Sequence, residues 1–290
     1  MLSISRILFP VDFSERTVEM LPYAREIASK YNAEITLLNV INPMIAVPDA
    51  GTWPPASLPA PDWLLAQQKE RLQEFGKEEL SGLVVLRLVH EGFAETEIVE
   101  TAKILRSQLV IIPTHGYGTV RRFLIGSTTS KVLHDLECPV LTGAHFKSAE
   151  QAHSHKLKNI VCALDLGAAS CDVLTWATRL ANDFDSCLSV IHAVPRLEPS
   201  LKVVFASDLK DRMEGSIRAE IERLQTTAGA RKTTICIEEG EPPDAICSYA
   251  SSVGADLLVI GRGGKNSGMG RLRANAYSII RQSACPVLSV

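Results

Sequence analysis

Aromatic residues are scarce in this chain, at 6% of 290 residues, and no apolar run approaches the ~18–20 residues that span a bilayer. Charge of one sign is lacking too. The formal net charge is -3 with no long block of either sign, which excludes the basic bias expected of a nucleic-acid-binding surface. The opening segment MLSISRILFPVDFSE has too short an apolar stretch for a secretory signal, and Asp12 and Glu15 follow at once. No membrane association and a cytoplasmic location are therefore expected. Seven cysteines, an odd number without a C-x-x-C pair, argue against a disulfide framework or a structural zinc site. Most sit in apolar runs such as IVCALD and ACPVL and read as buried, reduced thiols. His153 and His155 lack further ligands nearby, so no metal site is assigned. Neither an H-E-x-x-H motif nor a Ser-His-Asp spacing is present, so no catalytic residue is assigned.

What the chain does contain is a repeat. RILFPVDFS at Arg6–Ser14 returns as NIVCALDLG at Asn159–Gly167, and VHEGFAETEI at Val89–Ile98 as IEEGEPPDAI at Ile237–Ile246. QLVIIPTHG at Gln108–Gly116 returns as DLLVIGRGG at Asp256–Gly264, and ECPVLTG at Glu137–Gly143 as ACPVLSV at Ala284–Val290. The order is preserved and the offsets stay between 147 and 153 residues, which chance similarity of apolar strands would not produce. Two domains follow, residues 1–144 and 159–290, joined by a polar linker at 145–158.

Within the first copy, short β-branched runs at Ile7–Val11, Ile35–Val40, Val84–Val89, Leu109–Ile112 and Val140–Thr142 read as strands covered on both faces. Helical stripes lie between them. Val18, Leu21, Ala24, Ala28 and Tyr31 follow Ser14, a suitable N-cap, with Pro22 inside that helix. Phe93, Ile98, Ala102 and Leu105 mark another. Val132, Leu133 and Leu136 follow Ser127 in a third. In the second copy Val173, Trp176, Ala177 and Leu180 repeat the first stripe. Strand–helix alternation predicts an α/β fold: two tandem Rossmann-like domains, each a five-stranded parallel sheet flanked by helices. The Pro-rich segment Pro43–Pro61, absent from the second copy, reads as a loop.

Ligands of such sheets bind beyond the carboxyl ends of the strands, where strand order reverses. Asp12 ends the first strand, and Thr114–Gly118 follows the fourth, ahead of the helix near Ser127. Glycine permits close backbone approach, and a helix N-terminus supplies free N–H groups for phosphate. An ionised Asp12 accepts from a ribose hydroxyl or a base amino group. Each signal also has a plain structural alternative: Asp12 as a helix cap, Gly116 and Gly118 as turn glycines, Ser127 as an N-cap. Gly261–Gly270 is not a P-loop, because Lys265 is followed by Asn266 rather than Ser or Thr.

Pro113-Thr114-His115-Gly116, nine residues, then Gly126-Ser127-Thr128 resembles the G-x-x-G, nine residues, G-S/T pattern of the universal stress proteins. Leu8–Ser14 resembles that family's opening strand and adenine-side aspartate, Leu38-Asn39-Val40 its second-strand end, and Cys138–Leu141 its last strand. The resemblance covers both copies. It implies a tandem, stress-response, nucleotide-binding protein with ATP or AMP as ligand, Mg accompanying ATP, and Asp12, Val40, Thr114, His115, Gly116, Gly126, Ser127 and Thr128 as binding residues. Asp165, Gly261, Gly264 and Asn275 are the second-copy equivalents. It also implies antiparallel pairing of the last strands, which makes the chain an intramolecular pseudo-dimer and leaves a homodimer of two chains open.

Departures from the pattern decide which copy is favoured. Pro113 removes one backbone donor from the first copy. The second has Ala274 and Asn275 where glycine and a hydroxyl are expected, and Gly167 in place of Ser14. The second copy therefore reads as the more degenerate and empty one. His115 is the single group in the loop that titrates near neutrality, so weak ATP hydrolysis stays open beside the sensor reading. A non-nucleotide scaffold with an unnamed protein partner, or a small-metabolite or lipid binder, are the remaining alternatives.

Overall fold

The computed structural model describes residues 4–42, 60–114, 125–143, 156–196, 208–230, 233–262 and 274–290. The chain divides into two compact units, Met1–Gly143 and Ala144–Val290.

The first unit runs β1 (Arg6–Pro10), α1 (Glu15–Tyr31), β2 (Glu34–Ile41), α2 (Asp62–Glu74), β3 (Val85–Glu91), α3 (Ala94–Ile104), β4 (Leu109–Ile112), α4 (Ser127–Asp135) and β5 (Val140–Thr142). Its strands lie in the order β3-β2-β1-β4-β5, all parallel, with Leu8 opposite both Thr36 and Val110. Ile7, Leu8, Phe9, Ile35, Leu37, Leu109 and Ile111 are fully buried, each contributing about 1.5–3 kcal/mol of transfer free energy. Burial on both faces is why these strands read as continuous apolar runs rather than alternating ones. Strand order reverses between β2-β1 and β4, so the carboxyl ends of β1 and β4 diverge around a crevice.

Ser14 caps α1 as its sequence suggests, accepting from the Thr17 backbone N–H at 3.3 Å. The buried face is Thr17, Met20, Leu21, Ala24, Ile27 and Ala28, whereas Val18 is exposed, so the packed stripe is rotated from the one the apolar spacing suggested. The helix runs through Pro22 without a break. Asn32 stops it in the left-handed region at φ 51°, which asparagine tolerates better than most residues.

Apolar patterning does not reveal α2. Leu72 is its one buried residue, so it carries almost no stripe. Its C-terminal carbonyls are held instead by a cation: Arg87 on β3 donates Nε to Leu72 O at 2.8 Å and a second guanidinium N–H to Phe75 O at 3.3 Å. Residues 43–59 of the Pro-rich insertion lie outside the described residues. Its end, Ala60, is buried and donates its N–H to Glu91 at 2.8 Å.

The second unit repeats the plan with β6 (Asn159–Ala163), α5 (Ser170–Phe184), β7 (Cys187–Val194), α6 (Asp208–Ala228), β8 (Thr234–Glu239), α7 (Pro242–Ser252), β9 (Leu257–Ile260), α8 (Ala274–Gln282) and β10 (Val287–Ser289). Its strands lie in the order β8-β7-β6-β9-β10, again parallel. Backbone detail recurs as well: Asp185 repeats Asn32 in the left-handed region. No helix among the described residues is long and apolar enough to cross a membrane. None of the cysteines forms a disulfide, but only Cys162 and Cys285 are buried and Cys187 is exposed, which corrects the reading of most of them as buried. Apolar neighbours in sequence do not say which face of an edge element a thiol occupies.

Candidate functional site

Beyond the carboxyl ends of β1, β2 and β4 lies a cavity of about 520 Å³. Three structural decisions shape it.

The first is a turn. Asp12 stands two residues past the end of β1 rather than at it. Its Oδ1 accepts from the Ser14 backbone N–H at 2.9 Å, from Ser14 Oγ at 2.6 Å and from Thr17 Oγ1 at 2.5 Å. Asp12 thus does tie down the start of α1, but through one oxygen. Its Oδ2 has no partner among the described residues and remains an acceptor at the cavity wall. The turn requires Phe13 at φ 62°, a conformation that costs a non-glycine residue about 1–2 kcal/mol. Contacts from α2 offset this. The Arg71 guanidinium lies 4.2 Å from the Phe13 ring centroid, and Phe75 meets the ring edge-on at 5.7 Å.

The second is the closure of the loop after β4. Gly126 donates its backbone N–H to Thr114 O at 2.9 Å, and Thr129 Oγ1 donates to Pro113 O at 2.9 Å. Residues 113–114 are thereby tied to the first turn of α4 whatever the intervening chain does. His115 and Gly116 lie outside the described residues, as does Gly118. Thr114 is buried and is not among the residues that line the cavity. Ser127 is not the N-cap expected of it. Gly126 occupies that position, with no side-chain cap bond, and Ser127 is the first helical residue. The shift leaves the Ser127 hydroxyl unspent on capping, and the first turn of α4, whose leading N–H groups have no intrahelical partner, lines the cavity.

The third is the end of β2. Asn39 is buried and donates Nδ2 to Val11 O at 2.8 Å, which fixes the strand end against the Asp12 turn. Leu38 and Val40 line the cavity beside it, and Ala94 and Ile98 of α3 form the facing wall.

Of the residues assigned from sequence, Asp12, Val40, Gly126, Ser127 and Thr128 share this single space. Thr17, Asn39, Ile98, Ile125 and Thr129 belong to it too and were not foreseen. Thr17 was legible in principle, because Ser and Thr two and five residues after an Asp are placed to bond its carboxylate. Ile98 and Ile125 carry no such signal. Among the described residues no group of three or more His, Cys, Asp or Glu is placed to hold a metal.

The second unit has the matching crevice, at about 230 Å³. Asp165, Gly261 and Asn275 line it, whereas Gly264 lies outside the described residues. Asp165 Oδ1 accepts from Gly167 N–H at 2.8 Å and Ser170 Oγ at 3.1 Å, with Leu166 at φ 56° repeating Phe13. Asn275 is the second residue of α8.

Comparison with known proteins finds relatives of the chain and of each copy. A universal stress protein of Methanocaldococcus jannaschii is 30% identical over 139 residues, 47% of this chain and 79% of that protein. A universal stress protein of Mycolicibacterium smegmatis is 24% identical over 294 residues, 98% of this chain and 96% of the other. The crystal structure of a universal stress protein from Archaeoglobus fulgidus shares the fold with a TM-score of 0.68 at 22% identity, covering 99% of this chain and 96% of that one. The universal stress protein family matches residues 3–142 and again 156–290. The chain therefore belongs to the universal stress protein family, as a tandem member carrying two copies of the domain.

Proposed function

We propose that the first copy binds an adenine nucleotide, AMP or ATP, and that the protein acts as a nucleotide-responsive regulator in the stress response rather than as an enzyme. One observation carries this reading: an open carboxylate oxygen and a hydroxyl-rich helix N-terminus border one cavity at the strand-order reversal. At about 520 Å³ it lies within the ~300–1,000 Å³ typical of small-molecule sites.

The chemistry suits the two ends of a nucleotide. Asp12 Oδ2 accepts from a ribose hydroxyl or an amino group. Leu38, Val40 and Ile98 offer apolar surface to a base. The first N–H groups of α4, with the Ser127 and Thr128 hydroxyls, donate to phosphate oxygens, and Gly126 leaves room for them. Magnesium arriving with ATP would be held chiefly by the phosphates themselves, a hydroxyl of Ser127 or Thr128 being the protein's contribution.

Calorimetric titration of the full chain with AMP and ATP tests the reading, together with mass spectrometry of whatever small molecule copurifies. Saturable heat with one nucleotide in the first copy is expected. No heat and no thermal stabilisation at millimolar nucleotide, or an apolar ligand extracted from the native protein, would overturn it.

A further inference from the structure

The Asp12 carboxylate is held by a turn that the residue beside it does not favour. Phe13 takes φ 62°, in the left-handed region that glycine enters freely and a residue with a Cβ does not. That conformation links Asp12 to Ser14, so that Ser14 N–H, Ser14 Oγ and Thr17 Oγ1 all reach Oδ1. The carboxylate so held lines the first cavity.

Support for Phe13 comes from another element. The Arg71 guanidinium stands 4.2 Å from its ring centroid. The Phe75 ring meets it edge to face, with 5.7 Å between centroids and 82° between planes. Arg71 and Phe75 are four residues apart at the end of α2, so they share one side of it. A cation and a second ring thus grip Phe13 together. The helix that carries them is held by polar contacts more than by burial, since Leu72 is its one buried residue. Arg87 on β3 donates to Leu72 O and Phe75 O, on either side of this grip. Contacts therefore run from β3 through the end of α2 and the Phe13 ring to Asp12, and Arg71, one link among them, is exposed.

The second copy repeats the backbone with a different side chain. Leu166 takes φ 56° and has no ring for a cation or an aromatic edge to meet. Its turn is closed by Gly167 N–H donating to Asp165 Oδ1 at 2.8 Å, which supplies an internal control for the first.

We infer that Arg71 is a positioning residue of the first site: through the Phe13 ring it holds the left-handed turn that presents Asp12 to the cavity, and so sets how tightly that site binds. The inference rests on the reading of the first cavity as a nucleotide site in which Asp12 meets the ligand.

Hydrogen exchange of the Ser14 amide, followed by NMR on the full chain without ligand, reports the turn itself, and the Gly167 amide reports its counterpart. Arg71→Ala should speed Ser14 exchange about two- to fivefold, the range of an exposed cation–π contact, and leave Gly167 unchanged. AMP affinity, by calorimetry, should fall by a similar factor. Phe13→Gly removes the ring and the strain together, so the turn is kept. In that background Arg71→Ala should alter neither Ser14 exchange nor AMP affinity, whereas a general role in the stability of α2 would persist there. The inference is overturned if Arg71→Ala leaves Ser14 exchange unchanged, if Gly167 exchange quickens equally, if the effect survives in Phe13→Gly, or if exchange quickens while AMP affinity stays the same. A wild-type chain that binds no AMP sinks the nucleotide reading instead, and the Ser14 exchange cycle alone then decides for or against the brace.

Discussion

Replacing Asp12 by asparagine exchanges one oxygen for an amino group, and the surrounding bonds dictate which. Ser14 N–H, Ser14 Oγ and Thr17 Oγ1 all donate to Oδ1 within 2.9 Å. The asparagine must turn its carbonyl towards them, so its NH2 takes the place of Oδ2. Three charge-assisted bonds become neutral ones, a cost to the fold of about 1–2 kcal/mol. That lowers the melting temperature by a few degrees. At the cavity wall an acceptor becomes a donor and faces the ligand's own donor. Loss of one hydrogen bond to a charged group costs about 1.5–3 kcal/mol, or roughly 10- to 150-fold in affinity. Removing a carboxylate also relieves its repulsion of the ligand's phosphate, but that interaction runs the length of the ligand and is screened over about a Debye length of 8–10 Å. Calorimetry of AMP binding to wild type, Asp12→Asn and Asp165→Asn should show the weakening in Asp12→Asn alone. Should Asp12→Asn remain folded and bind AMP within about threefold of wild type, the assigned role of this carboxylate is refuted.

Other expectations follow from the duplicated backbone and the buried thiols. Gly92 (φ +153°) and Gly240 (φ +156°) occupy corresponding turns, but a Cβ on Gly92 would meet Glu97 Oε1 at 2.6 Å whereas one on Gly240 meets nothing closer than 3.8 Å. Both alanine variants bear the backbone strain, and Gly92→Ala should be worse by about 1 kcal/mol or more in denaturant melts, because Glu97 must leave its 3.0 Å contact with His90. Pro22→Ala restores an N–H within α1, and a rise in stability of about 1–2 kcal/mol is expected, visible as a higher melting temperature. Iodoacetamide at pH 8 should label exposed Cys187 well before buried Cys162 and Cys285, read by peptide mass spectrometry. Burial pushes the Cys285 thiol up to about 11 and the Cys247 thiol up to about 12. The native state thus holds these protons where the unfolded chain releases them. Stability is unaffected below the ordinary thiol value of 9.0 and falls as pH rises from there towards 11–12, testable by melts across that range.

How much could be read in advance depended on whether a residue's role is local. Leu109–Ile112 and Val140–Thr142 are strands to the residue, because both faces are covered and every position is buried. The Ser14 cap acts across three residues and was equally legible. Helix α2 was not, since a helix burying only Leu72 leaves no periodic trace, and its anchor, Arg87, lies on a strand. Ser127 misled because serine favours the cap position, yet the Gly126–Thr114 bond that closes the loop sets where the helix begins.

By itself, the sequence determined the duplication, the parallel α/β plan and the identity of the polar groups at the strand ends, because periodicity and repeated motifs encode burial directly. Only the tertiary structure decided that Asp12 and Ser127, distant along the chain, border one space, and that this space is more than twice the size in the first copy. Cavity volume and the freedom of an individual oxygen arise from side chains of several elements meeting, and no single segment holds that information.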